Sequence, residues 1–172
     1  MLIRKITVTF LAAFLLVAFN ACRKENNSGT TILNIRLTDN PFNATEVNVD
    51  IREVRVNMRD DSTGWVSLNT NAAVYNLLGL QNGVDTLLAT GIIPTGVLKE
   101  VRFVLGNDNS IVIDSTEYPL TIPSGSESGL KIKINKQLNA TLDSLLIDFD
   151  AALSIMQTGT GEYKLKPVLK IK

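Results

Sequence analysis

From residue 31 onward, apolar and polar residues alternate in short runs separated by turn-forming clusters. In residues 31–38, Leu33, Ile35 and Leu37 fall on one face and Asn34 and Arg36 on the other, the period-two signature of a half-buried strand. Asp39-Asn40-Pro41 ends that run with turn chemistry. Val47, Val49 and Ile51 repeat the pattern, which then slips one position to Val54, Val56 and Met58. One extra residue in a strand produces such a slip, so a β-bulge is expected near Arg52-Glu53, with two strands joined by a bend as the alternative.

Further strands are predicted at 65–68, 74–80, 97–105, 111–113, 118–122, 130–135, 144–149 and 163–172. Residues 84–90 fit a single helical turn or irregular chain, and 92–96 a turn. In the last strand Tyr163, Leu165, Leu169 and Ile171 oppose Lys164, Lys166, Lys170 and Lys172. Pro167 has no N–H for a ladder bond, which marks that strand as an edge or partly exposed one. Roughly nine short strands without an amphipathic helix predict an all-β fold, an antiparallel sandwich of immunoglobulin-like or prealbumin-like kind. A closed barrel is the second choice.

The first residues follow a different logic. Arg4 and Lys5 precede an almost wholly apolar stretch at 6–19. As a helix, its roughly 14 residues rise about 21 Å, short of a bilayer's hydrocarbon core of about 30 Å. A basic start, a short greasy centre and a small residue at the exit make a cleaved export signal over residues 1–21. Ala21 precedes Cys22, the single cysteine, in a pattern that resembles the lipobox of bacterial lipoproteins. Phe19 stands there where leucine is more usual, and an ordinary signal followed by an incidental cysteine is the plainer alternative. Diacylglycerol on the Cys22 thiol would anchor the mature domain to a leaflet without spanning it. Residues 22–30 are then the lipidated start and a polar, flexible tether, and residues 31–172 one domain.

Composition narrows the chemistry. Of 17 basic residues, Arg4 and Lys5 leave with the signal, so 15 face 17 acidic ones. A formal charge of −2 gives no field that would draw nucleic acid. The chain has no histidine, which removes Ser-His-Asp and Cys-His activation, histidine-based zinc sites and imidazole acid–base chemistry. With one cysteine no disulfide forms within the chain.

Four motifs carry a resemblance. They are Leu37-Thr38-Asp39-Asn40-Pro41, Pro123-Ser124-Gly125 through Ser128-Gly129-Leu130-Lys131, Asp148-Phe149-Asp150-Ala151 with Ser154-Ile155, and Tyr163-Lys164-Leu165-Lys166-Pro167. In order and spacing they resemble the bacterial lipoprotein domain family known as domain of unknown function 4382, common in Bacteroidetes. The resemblance covers about residues 31–172 and implies an exported, lipid-anchored, β-rich protein. It implies no activity.

Among candidate sites, Asp148 and Asp150 stand two apart, so a strand would project both carboxylates from one face, about 7 Å apart at Cα. Like charges so placed repel unless a cation, a lysine or water intervenes. One reading is an oxygen-ligand cation site, with Ca²⁺ the natural ion and Asp39 a third ligand. A glycosidase pair is conceivable, although such carboxylates normally face each other across a cleft. The plainer reading is a strand end satisfied by backbone N–H groups. Residues 123–129 with Lys131 offer a weak anion loop without phosphate-loop spacing, and Asp60-Asp61-Ser62-Thr63-Gly64 reads as a turn. Trp65, Tyr75, Tyr118 and Tyr163 are scattered over separate strands, where packing is the default and a glycan platform the sharper alternative.

These observations favour a membrane-anchored, non-catalytic binding or adhesion module for a glycan, peptide or protein, without a required cofactor. A carboxylate hydrolase or cation-binding domain using Asp148 and Asp150, and a structural subunit of a surface assembly, are the alternatives. The expected address is the cell envelope, lipid-anchored to the outer membrane on its periplasmic or outer side.

Overall fold

The computed structural model describes residues 29–40, 43–59, 61, 63–123, 130–139 and 141–172. The strands are β1 (Thr30–Thr38), β2 (Glu46–Asn57), β3 (Trp65–Ser67), β4 (Asn69–Thr70), β5 (Ala73–Asn76), β6 (Thr86–Pro94) and β7 (Val97–Leu105). They continue as β8 (Ser110–Ile113), β9 (Thr116–Thr121), β10 (Leu130–Gln137), β11 (Leu142–Phe149), β12 (Ile155–Gln157), β13 (Tyr163–Leu165) and β14 (Leu169–Ile171). One helical turn, α1 (Ala151–Ser154), lies between β11 and β12. No helix among the described residues is long and apolar enough to cross a membrane.

Two sheets form, in the sandwich-like arrangement expected. The first runs β14–β11–β1–β6–β4, and the second follows β10–β7–β2–β8–β9–β13–β12, with β3 and β5 also paired to β2. The pairing is mixed rather than purely antiparallel. β1 and β11 run parallel, with Thr38 beside Asp148, and β13 runs parallel to β9. Each of these pairs joins strands far apart in the chain, so no tight hairpin dictates direction.

The core explains the alternation. Leu33, Ile35, Leu37, Ile147 and Phe149 from the first sheet join Val49, Ile51, Val54, Val56, Val101 and Phe103 of the second in one buried cluster. The register of β2 against β7 shifts between Ile51 and Glu53, the bulge expected from the phase slip. That extra residue lets Val47, Val49 and Ile51 face the same core as Val54 and Val56. Between β8 and β9, Asp114 (φ 48°) and Ser115 (φ 65°) make a two-residue turn with both central φ positive. Such a turn matches the right-handed twist of the strands it joins.

Three readings of the sequence need correction. Residues 86–94 form β6, not a helical turn, and the turn is confined to Thr95-Gly96. A register shift against β1 between Ile35 and Arg36 buries Leu88 and Ala89 together, and so hides the strand's alternation. The strand expected at 74–80 ends at Asn76, whose side chain accepts from Leu78 N at 3.1 Å and caps a 3-10 turn, Leu77–Leu80. The final strand is two strands in different sheets, with Pro167 between them. α1 stitches this crossover: Lys166 N donates to the Ser154 carbonyl at 2.7 Å, and Val168 N to Ser154 Oγ at 2.8 Å.

Candidate functional site

Alternation along β11 points Ile147 and Phe149 into the core and turns Asp148 to the outer face of the first sheet. Across the antiparallel pairing with β14, Lys170 lies beside Asp148, so Lys170 and Lys172 occupy the same face. Asp39 follows the end of the neighbouring β1, and Asp150 leaves β11 as the N-cap of α1. The fold thus gathers the three carboxylates singled out in the sequence at one end of this sheet, and all three are buried.

Their charge is met from within the chain. Lys170 Nζ donates to Asp150 Oδ2 at 2.6 Å, and Leu153 N to Asp150 Oδ1 at 3.1 Å. Asn40 Nδ2 adds a long contact to Asp150 Oδ2 at 3.4 Å. Burial pushes the Asp150 carboxyl up, but the Lys170 ammonium and the Leu153 N–H outweigh it and hold the group below its ordinary range. Lys170 is raised in turn, chiefly by its hydrogen bond to Asp150. Asp39 accepts from Ala151 N at 3.0 Å and from Gln81 Nε2 at 3.3 Å. There burial prevails, and the Asp39 carboxyl is raised.

Asp148 is the outlier. Lys172 Nζ lies 3.2 Å from its Oδ2, yet neither carboxylate oxygen has a partner in hydrogen-bonding geometry among the described residues. Lys172 also donates to Asn40 Oδ1 at 2.9 Å. The positive charge that adjacent carboxylates demand is supplied here by two lysines. Among the described residues, no group of three or more acidic or cysteine side chains is arranged to hold a metal ion. Lys170 and Lys172, which alternation sets opposite the apolar residues of the last strand, are therefore part of this network.

A second charged cluster had no signal in the sequence. Asp50, fully buried, pairs with Arg52, whose Nη2 donates to Oδ2 at 2.7 Å while Nε lies 2.6 Å from Oδ1 outside hydrogen-bonding geometry. Asp50 N donates to Asn109 Oδ1 at 2.9 Å, Asn109 Nδ2 to the Gly106 carbonyl at 2.8 Å, and Gly106 N to the Asp50 carbonyl at 2.9 Å. Residues 106–109 read as a plain turn, and nothing local announces a partner so far away in the chain.

This braced loop borders a concave surface. A groove of about 490 Å³ lies among Asn48, Val74, Asp108, Ser110, Glu117 and Pro119. A neighbour of about 430 Å³ runs along Leu105, Gly106, Pro119 and Thr121. A third, of about 270 Å³, is walled by Tyr118, Tyr163, Thr160 and Glu162 and is also bordered by Pro119. β9 therefore carries all three, and its first four residues, Thr116 to Pro119, are exposed. The Tyr118 and Tyr163 rings lie 5.1 Å apart at 53°, so two of the four scattered aromatics meet here. Trp65 is used elsewhere, under the Arg102 guanidinium at 4.1 Å and with Lys131 Nζ at 5.8 Å. Tyr75 donates its hydroxyl to the Asn71 carbonyl.

Asp61 closes the β2–β3 loop as a turn, accepting from Thr63 N at 2.8 Å. The glycine-containing loop at 124–129 and the lipidation candidate Cys22 lie outside the described residues.

Fold and surface together define a small all-β domain of two mixed sheets, with grooves along one strand and a lysine-neutralised carboxylate cluster on the outer face of the other sheet. The family model described as Domain of unknown function (DUF4382) matches residues 30–167, and the chain belongs to that family. No match was found among curated proteins or among solved structures.

Proposed function

We propose that the chain is a lipid-anchored bacterial envelope protein, held to the outer membrane through Cys22, whose sandwich serves as a non-catalytic binding module. The observation that supports the binding reading is the division of labour over the surface. Asp39 and Asp150 are engaged by backbone N–H groups, Gln81 and Lys170, and Asp148 faces Lys172. The grooves along β9 instead present polar groups at the surface: Asp108 meets the half-exposed Arg52 at 3.2 Å, Asn48 Nδ2 donates to Ser110 Oγ at 3.3 Å, and Glu117 is exposed beside Tyr118. A rim of Asn48, Asp108, Ser110 and Glu117 beside the Tyr118–Tyr163 pair suits a glycan, whose hydroxyls need polar partners and whose C–H faces pack on aromatic rings.

Two measurements test this. Intact-mass analysis of protein purified from bacterial membranes is expected to show loss of residues 1–21 and a diacylglycerol adduct, both abolished in Cys22→Ala. A mature product without fatty acid would overturn the address. On glycan and peptide arrays the full chain is expected to bind a glycan, with binding lost in Tyr163→Ala and weakened in Glu117→Gln. Binding untouched by both substitutions, or none on either array, would overturn the site.

A further inference from the structure

The outer face of the first sheet is graded along its strands. Register places Ile32 of β1 beside Ile92 of β6 on one side and Leu142 of β11 on the other. Ile32, Ile92 and Leu142 are 45%, 72% and 53% exposed, so three aliphatic side chains form a bare row across three strands. Next along the face come Thr90, Asn34 and Ser144, uncharged and polar, with Thr90 Oγ1 donating to Asn34 Oδ1 at 2.8 Å. Arg36, paired with Asp85, follows, and then Thr38, Asp148 and Lys170. The greasy row lies at the end where the chain enters β1, and the charged network about 20 Å away at the other, from the rise per strand residue.

The chain leading into that end identifies the occupant. Thr30 opens β1 two residues before Ile32. It lies eight positions after Cys22, a span of at most about 27 Å fully extended. Arg23-Lys24-Glu25-Asn26-Asn27-Ser28-Gly29 contains no apolar side chain with which to cover the row. A lipid on Cys22 therefore tethers the uncharged, aliphatic end of this face within reach of the leaflet and leaves the ionic end further out.

We infer that Ile32, Ile92 and Leu142 form a bilayer-contacting face, seated against the interfacial region of the membrane that holds the anchor. Exposed aliphatic groups at the headgroup boundary leave water without requiring a protein partner. The seating also sets the domain's orientation, with the first sheet's outer face inclined to the membrane. This inference rests on lipidation at Cys22.

The test uses the full chain, processed in bacteria and reconstituted in phosphatidylcholine vesicles at low protein density. In Ile92→Cys the introduced thiol is the only free one when Cys22 is acylated, and it takes one environment-sensitive fluorophore. The expected result is a blue-shifted emission that is quenched by lipids carrying a nitroxide near the headgroup. Val84→Cys, also exposed but placed where Thr38 Oγ1 bonds the Val84 carbonyl at the far end of β1, is expected to show neither effect. A blue shift at position 92 without lipid quenching points to a second copy or a protein partner and overturns the inference, as does emission equal to that at position 84. Labelling of the wild-type chain at Cys22 shows that lipidation itself fails, and overturns both readings. An unchanged β-type circular-dichroism spectrum verifies that each labelled variant is folded.

Discussion

Gly106→Ala isolates the most demanding contact in the second sheet. An ideal Cβ on Gly106 would clash with Asp50 Oδ2, lie 2.5 Å from Asp50 Cγ and 2.7 Å from Arg52 Nε. The glycine is thus required by space, since its φ is not among the positive values of the chain. Asp50 is fully buried and cannot swing aside. The loop must move instead, at the expense of the Gly106 N–Asp50 O and Asn109 Nδ2–Gly106 O hydrogen bonds. Two such bonds are worth about 1–3 kcal/mol together, and forcing an extra methyl into packed chain costs about 1–3 kcal/mol. Arg52 is 53% exposed, so its ion pair adds little to this sum.

A net loss of about 3 kcal/mol is expected, read as a lower urea midpoint at unchanged m-value and a Tm drop of about 10 °C. The cause is tested by a double-mutant cycle. With Asp50→Ala in the background the added methyl finds room, and Gly106→Ala is expected to cost under about 1 kcal/mol, a coupling of about 2 kcal/mol. Equal cost in both backgrounds would refute the reasoning, and so would a loss below about 0.5 kcal/mol in the wild type.

Two more predictions concern the carboxylate network. Ser154→Ala removes a fully buried hydroxyl that donates to the Asp150 carbonyl at 2.6 Å and accepts from Val168 N. It is expected to cost about 1–3 kcal/mol in urea unfolding, and a neutral result would show that the crossover does not depend on it. The pH response has two signs. Asp143, pushed up by burial but held low by Lys136 and the Asn139 N–H, and Asp150 contribute stability that is present above the ordinary carboxylate value and lost as pH falls through their lower folded values. Asp39, raised by burial, binds its proton more tightly when folded, so its contribution to stability improves as pH falls towards 3.8. The stability of wild type relative to Asp39→Asn is therefore expected to rise on acidification from about pH 7 to 4, and a difference that does not vary with pH would refute this assignment.

What one-dimensional reading reached, and where it stopped, follows from what alternation reports. A period of two in Leu33, Ile35 and Leu37 states which side of a strand meets the core, and the phase slip at Arg52-Glu53 states where a residue is added. Both survive into the fold because pleating sets them residue by residue. The family motifs likewise lie in order along the chain, and the match over residues 30–167 covers nearly the same span.

Alternation does not name the neighbour. Asp148 and Asp150 were visible as a pair, but that Lys170 and Lys172 stand beside them depends on β14 leaving β13's sheet at Pro167. Residues 86–94 looked irregular because a bulge against β1 buries Leu88 and Ala89 in succession. Asp50 meets Asn109 across 59 residues, and Lys172 meets Asn40 across 132. The sequence by itself determined the regularly alternating strands such as β1, β2 and β7, their buried sides and the all-β class, since these arise from local pleat and hydrophobic burial. Only the tertiary structure decided sheet order, parallel pairing, which charges neutralise one another and which aliphatic side chains remain bare, because each is set by chain segments brought together from far apart.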